Sequence, residues 1–196
     1  MAPSPSAEPL APTEAEELLD LAEGSVVTAL AGGVAEPPPP TGLSPALRSR
    51  RGAFVTLTVA GELNGCIGRV AGDEPLAHAV VRLARAAAFD DPRLPPLRAD
   101  DLAALTIEVS VLSALTPLEV DDRAALASAL RPARDGVVVA SGRAQGLFLP
   151  AVWRQLPDPD DFLDALWVKA GWPPGWWPHD LRVRRFTTEQ FHRHRT

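Results

Sequence analysis

The chain has a single cysteine, Cys66, and a single lysine, Lys169. One cysteine excludes an intramolecular disulfide framework and any cysteine-rich zinc site. No apolar run approaches the roughly 20 residues needed to cross a bilayer. The opening stretch, MAPSPSAEPLAPTEAEELL, lacks a basic region followed by an apolar one, so it does not read as a secretory leader. A cytoplasmic protein is expected. Positive charge is also scarce: 19 Lys and Arg face 25 Asp and Glu, a formal net charge of −6. That balance argues against broad, sequence-independent nucleic-acid binding, which needs a basic surface. Alanine, proline and arginine abound in the manner of a GC-rich genome, so their counts carry little functional weight.

What remains is 196 residues, enough for one compact domain with a proper core. Residues 1–12 read as a disordered tail rich in alanine, proline and serine. Residues 13–196 are expected to form a single domain of two lobes. Thr13 and Glu16 have capping-box spacing, and Leu18, Leu19, Ala22, Val26 and Leu30 recur at helical intervals, which predicts a helix over 14–31. The prolines of EPPPPTG end it and make an extended connector. GAFVTLTVAGELNGCIGRV reads as strand, tight turn, strand. Asp73, Glu74 and Pro75 open a helix whose buried stripe is Leu76, Ala79, Val80, Leu83 and Ala87. LTIEVSVLS is the clearest strand, with Ile107, Val109 and Val111 on one face and Thr106, Glu108, Ser110 and Leu112 on the other.

A helix near 122–130, a strand at GVVVAS, a short helix after Pro150 and a helix from Asp158 to Gly171 follow. That last helix is expected to bury Phe162, Leu163, Leu166 and Val168. WPPGWWPHD is an aromatic loop, LRVRRFT a strand, and TEQFHRHR a short terminal helix. The elements show no repeating βαβ rhythm, so the expected class is α+β, with a mixed or antiparallel sheet and flanking helices.

Cys66 sits between Gly65 and Ile67, with Gly68 beyond. Flanking glycines allow backbone amides to converge as a nest for an anion or thiolate, which suits a thiol nucleophile. The competing reading is a small buried hydrophobe, the usual fate of a free cysteine. Glu108 is a carboxylate in mid-strand. It is either a general base, a partner for an arginine, or an exposed residue on a half-wetted sheet face. Asp91 and Arg93 lie in a loop stiffened by Pro92, Pro95 and Pro96. They either anchor an anionic substrate or pair with each other to pin the loop. His78, His179, His192 and His194 show no metal-ligand spacing. No phosphate-binding loop, dinucleotide fingerprint or serine nucleophile elbow is present, so no cofactor is expected. Five tryptophans gather in the last quarter of the chain beside Arg182, Arg184 and Arg185. They could stack on bases, but core packing or a partner interface fits an acidic chain better.

GAFVTLTVAGELNGCIGRV, AAFDDPRLPPL, LTIEVSVLSALTPLEV, GLFLPAVW and FLDALWVKAGWPPGWW together resemble, in order, the motifs of the AMMECR-one domain. The likeness runs from about residue 12 to 192. It implies an α+β fold of two lobes with the cysteine loop near a cleft between them. For bacterial members, called AmmeMemoRadiSam system protein A, it implies association with a Memo-like protein and a radical SAM enzyme. Matching positions are Cys66 with Gly65 and Gly68, Asp91, Arg93, Glu108 and Lys169. Asn64 stands where arginine is usual, Leu94 where phenylalanine is usual, and Ala151 where glutamine is common. The resemblance implies no particular reaction; the residues themselves are read as those of a thiol-dependent enzyme, a transferase or hydrolase. Cys66 and Glu108 would be its catalytic residues, and Gly65, Gly68, Asp91, Arg93 and Lys169 would hold a small anionic substrate. The alternative is a noncatalytic protein that docks the Memo-like and radical SAM partners; RNA binding is a distant third.

Overall fold

The computed structural model describes residues 9–195. Their contacts fall into two compact units: Met1–Leu112 with Glu189–Thr196, and Ser113–Thr188. Helices and two antiparallel sheets make the fold α+β. No helix among the described residues is long and apolar enough to cross a membrane.

The first unit begins with α1 (Pro12–Leu30). Residues 1–8 of the expected tail lie outside the described residues. Residues 9–12 depart from that expectation: Leu10 is buried, and its N–H donates to Glu189 Oε2 at 2.8 Å. The helix also starts earlier than the capping-box spacing suggests. Proline suits the first helical position, and Glu14 accepts the free N–H of Ala11 at 2.9 Å. Glu16 is thereby released for another partner. Arg193 takes Glu16, Asp20 and Glu23, three acids about one helical turn apart, and straps α1 to the chain's last strand.

After the proline connector comes α2 (Pro45–Arg48), which the sequence reading missed because it is a single turn. β1 (Ala53–Val59) and β2 (Glu62–Arg69) then form a hairpin. Its two-residue turn, Ala60-Gly61, has positive φ at both positions, 51° and 87°, the conformation whose twist matches a hairpin. α3 (Leu76–Phe89) lays its apolar stripe against β1, β2 and α1. β3 (Leu105–Leu112) pairs with β1 on the side away from β2. Val55, Leu57, Ile107, Val109 and Val111 face the helices and build the core with Leu18, Leu76, Val80 and Leu83.

The second unit holds β4 (Thr116–Leu118), α4 (Arg123–Ala129), β5 (Gly136–Ser141), β6 (Ala144–Phe148), α5 (Pro159–Lys169) and β7 (Arg182–Phe186). Its sheet runs β4-β7-β5-β6. Of α5's expected apolar stripe, Phe162, Leu163 and Leu166 are buried. Val168 is exposed, and Trp167 takes the buried position instead. Trp153 stacks on Phe162 at 3.8 Å, and Trp167 meets Trp172 edge to face. The tryptophans are therefore mainly core, and their indoles bond to carbonyls: Trp153 to Asp135, Trp167 to Trp176.

The chain ends in β8 (Thr188–His194), where a short helix was expected. The segment alternates half-buried and exposed side chains along its length, with Phe191 and Arg193 on the inward side, and it completes the first sheet in the order β2-β1-β3-β8. Two ladder bonds, Arg195 N–H to Leu105 O and Ser113 N–H to Thr187 O, both 2.9 Å, set its register against β3. That register places His192 opposite Glu108 and Gln190 opposite Ser110.

Candidate functional site

The position of Cys66 is decided by one extra residue. Val59 pairs with Glu62 and Thr58 with Leu63, but Leu57 pairs with Gly65, so Asn64 is a β-bulge. Side chains alternate faces along a strand, so a single inserted residue exchanges the faces of everything beyond it. Without the bulge, Cys66 would oppose Val55 and enter the core. With it, Cys66 opposes Thr56 on the polar face. Cys66 is half-buried, which sets aside the reading of a walled-in hydrophobe.

Across the sheet, Cys66, Thr56 and Glu108 occupy one row on β2, β1 and β3, and His192 continues it on β8. The Thr56 hydroxyl lies 3.3 Å from Cys66 Sγ and donates to it. Glu108 accepts from Ser110 Oγ at 3.1 Å and from Gln190 Nε2 at 3.2 Å. Two strand spacings separate Glu108 from Cys66, about 10 Å in all, with Thr56 between them. A direct base–thiol contact, which the first catalytic reading required, is not what this row provides.

β2 is an edge strand, and the Cys66 peptide points outward from it. Asp91 Oδ2 accepts the Cys66 N–H at 2.9 Å, and Arg93 Nη2 donates to the Cys66 carbonyl at 3.0 Å. Asp91 and Arg93 also bind each other with two parallel bonds, 2.9 and 2.7 Å. Together they cap the sheet edge at this residue and fix its backbone. The Asp91 carboxylate is 2% exposed, whereas the Arg93 side chain is 62% exposed. The Arg93 guanidinium, with help from the Cys66 and Arg93 amides, holds the Asp91 carboxyl far below the usual carboxylate range despite its burial. Arg93 is raised in turn, first by Asp91 and to a lesser degree by the nearby Cys66. The internal pairing is what the structure shows: Arg93 pins the loop through Asp91, while most of its side chain stays open to solvent near Cys66.

The flanking glycines do not form the expected nest. Both lie within extended β2, and the Cys66 amide is already occupied by Asp91. Their role is close packing. A Cβ on Gly65 would stand 1.8 Å from the Ala87 carbonyl oxygen at the end of α3, and one on Gly68 would stand 2.1 Å from the Phe54 ring. Lys169 belongs to the second unit, at the end of α5, with its ammonium 5.0 Å from the Phe148 ring centre. Thr56 was not singled out from the sequence, and His192 was named there only as lacking metal-ligand spacing. The alternation of β1 already put Thr56 opposite the core, but its pairing with Cys66 depends on the bulge. Among the described residues no group of His, Cys, Asp and Glu is arranged to hold a metal.

The AMMECR1 family model matches residues 19–191, nearly the whole chain. The chain belongs to the AMMECR1 family. A Methanothermobacter thermautotrophicus protein is 41% identical over 155 residues, 78% of this chain and 81% of the relative. Protein MK0488 of Methanopyrus kandleri is 38% identical over 189 residues, 91% of this chain and 87% of its own. The crystal structure of the uncharacterized protein PH0010 from Pyrococcus horikoshii superposes with a TM-score of 0.82 at 34% identity, covering 91% of this chain and 90% of that one. AMMECR1 membership accounts for the order of the motifs and for the α+β fold.

Proposed function

We propose that this AMMECR1 chain is a thiol-dependent enzyme of acyl-transfer or hydrolytic type that takes a small anionic substrate at Cys66. The observation that supports it is a half-buried thiol on a polar sheet face, clamped through its own peptide to a guanidinium that remains open to solvent. Cys66 Sγ attacks the substrate's acyl carbon, and the bond to the leaving group breaks as the thiol proton departs with it. Water then cleaves the thioester, releasing the acid and restoring the thiol. Arg93 holds the anionic end of the substrate, Asp91 keeps Arg93 and the Cys66 peptide in register, and Thr56 fixes the sulfur's direction. Glu108, held by Ser110 and Gln190, orients the far end of a substrate lying across the strands. A lone reduced thiol fits the cytoplasmic location we assign to it. The test uses mono-4-nitrophenyl succinate, an anionic ester, and intact mass spectrometry. A succinyl adduct on the folded protein that is lost in Cys66→Ser supports the reading. Nitrophenolate release no faster than with Cys66→Ser, and no adduct, contradicts it.

A second reading rests on the second unit, which exposes two large apolar side chains, Val168 at 63% and Trp176 at 45%. Such side chains suit a docking surface for a protein partner, which the family resemblance would make a Memo-like or radical SAM protein. Co-purification that is lost with Trp176→Ser would favour it; failure to co-purify with either protein would count against it.

A further inference from the structure

Carboxylates outnumber cations in this chain, 25 to 19, and most arginines have found one. In the second unit Arg123 pairs with Asp160 and Asp164, and Arg131 and Arg185 both pair with Asp135. Arg143, Arg182 and Arg184 behave differently: among the described residues their side chains make no hydrogen bond or ion pair. All three line one hollow of about 410 Å³. That volume falls in the range of small-molecule sites, roughly 300–1,000 Å³.

The local pattern explains why they converge. Arg182 and Arg184 are two residues apart on β7 and so share a face, while Arg185 points the opposite way, toward buried Asp135. Arg182 lies across from Ala140 on β5 and Arg184 across from Pro117 on β4. Arg143 comes from the two-residue turn between β5 and β6. Asp180 fastens that turn by accepting from Ser141 Oγ and from the Gly142 N–H, so this nearby acid is already engaged. Among the described residues Glu119 is the one acid lining the hollow, and Gln145 adds a neutral amide. Between the arginines the lining is apolar: Pro117, Ala140 and Leu181.

Three unpaired guanidiniums against one carboxylate leave an excess of positive charge, and guanidinium forks match phosphate oxygens with paired hydrogen bonds. The apolar lining suits a carbon body attached to that phosphate. We propose that the second unit holds a binding site for a small organic phosphate, formed by Arg143, Arg182 and Arg184 around an apolar floor. The site is separate from Cys66 and does not depend on the proposed thiol chemistry. Glu119 faces the ligand as a hydrogen-bond acceptor and favours a ligand that carries a hydroxyl or amine beside its phosphate.

Calorimetric titration of the full chain at low ionic strength tests this with two probes, phenyl phosphate and inorganic phosphate. Phenyl phosphate should bind saturably and several-fold more tightly than inorganic phosphate. Arg182→Gln/Arg184→Gln should weaken it at least about tenfold. Arg154→Gln, which removes an exposed arginine of the same unit that does not line the hollow, should leave binding unchanged. Glu119→Gln should tighten it, a gain that misfolding could not produce. The proposal is overturned if no saturable binding is seen, if phenyl phosphate binds no better than inorganic phosphate, or if Arg154→Gln weakens binding as much as the double variant. Preference for single-stranded RNA over phenyl phosphate at the same arginines would also overturn it.

Discussion

Thr56 stands directly opposite Cys66 in the β1–β2 ladder, its hydroxyl 3.3 Å from the sulfur. Because the Cys66 peptide bonds outward to Asp91 and Arg93, the two residues form a non-hydrogen-bonded pair, the kind whose side chains come closest. The edge clamp and the thiol–hydroxyl contact are therefore one arrangement seen from two sides. Disturbing the loop at Asp91 should be felt at the sulfur.

Asp91→Asn removes the charge from a nearly buried carboxyl that accepts the Cys66 and Arg93 amides and the Arg93 fork. Hydrogen bonds to a charged group are worth about 1.5–3 kcal/mol net, so a loss of about 2 kcal/mol is expected in urea unfolding. The pH dependence has a definite sign. The carboxyl's value is lowered on folding, so its stabilisation is complete above the unfolded value, near 3.9, and is lost as pH falls through the folded one. The wild-type protein should therefore lose more stability than Asp91→Asn between about pH 5 and pH 2. Parallel curves for the two proteins would refute this role.

Gly65 is required for packing. An alanine there would drive its methyl against backbone, the Ala87 carbonyl at 1.8 Å, which no side-chain rotation relieves. Gly65→Ala should destabilise the fold by about 3 kcal/mol, the upper end of ordinary overpacking, by forcing β2 away from α3. Thermal unfolding measures it. An unchanged midpoint would mean that the strand and helix are not in this contact.

Ala60 carries a mild strain. It holds φ at 51°, where a Cβ crowds the following carbonyl. Asparagine and glycine tolerate that conformation, so Ala60→Asn or Ala60→Gly should raise stability by about 0.5–1 kcal/mol. A lowered midpoint for both variants would show that the turn adopts another form.

Much of this fold was written in local periodicity. α1, β1, α3, β3 and α5 each carry an apolar stripe at the period of their element, β5 is a short continuous apolar run, and each formed close to where it was expected. The misses share a different cause. β4 is three residues with a proline at its centre, β6 is interrupted by Gly146, and β8 has only Phe191 as a large apolar residue. Such strands are stabilised by the sheet they join, which no local pattern shows. The site follows the same rule. The Asp91–Arg93 pair was foreseeable from a stiff loop, but the face chosen by Cys66 depends on the bulge at Asn64, a property of two strands in register. Val168 failed on the helical period itself: Trp167 is four residues on from Leu163 and shares its face, whereas Val168 lies nearly opposite the buried stripe.

Alkylation of the folded protein tests most directly whether Cys66 is an accessible thiol beside an open guanidinium. Reaction rates with anionic iodoacetate and neutral iodoacetamide should be compared for the wild type, Thr56→Val and Arg93→Gln. Cys66 should be modified without denaturant, with a rate ratio that favours iodoacetate. Arg93→Gln should reverse that preference, and Thr56→Val should slow both reagents. A thiol that stays unmodified up to pH 9 until the protein is unfolded, or a ratio that Arg93→Gln leaves unchanged, would contradict that placement.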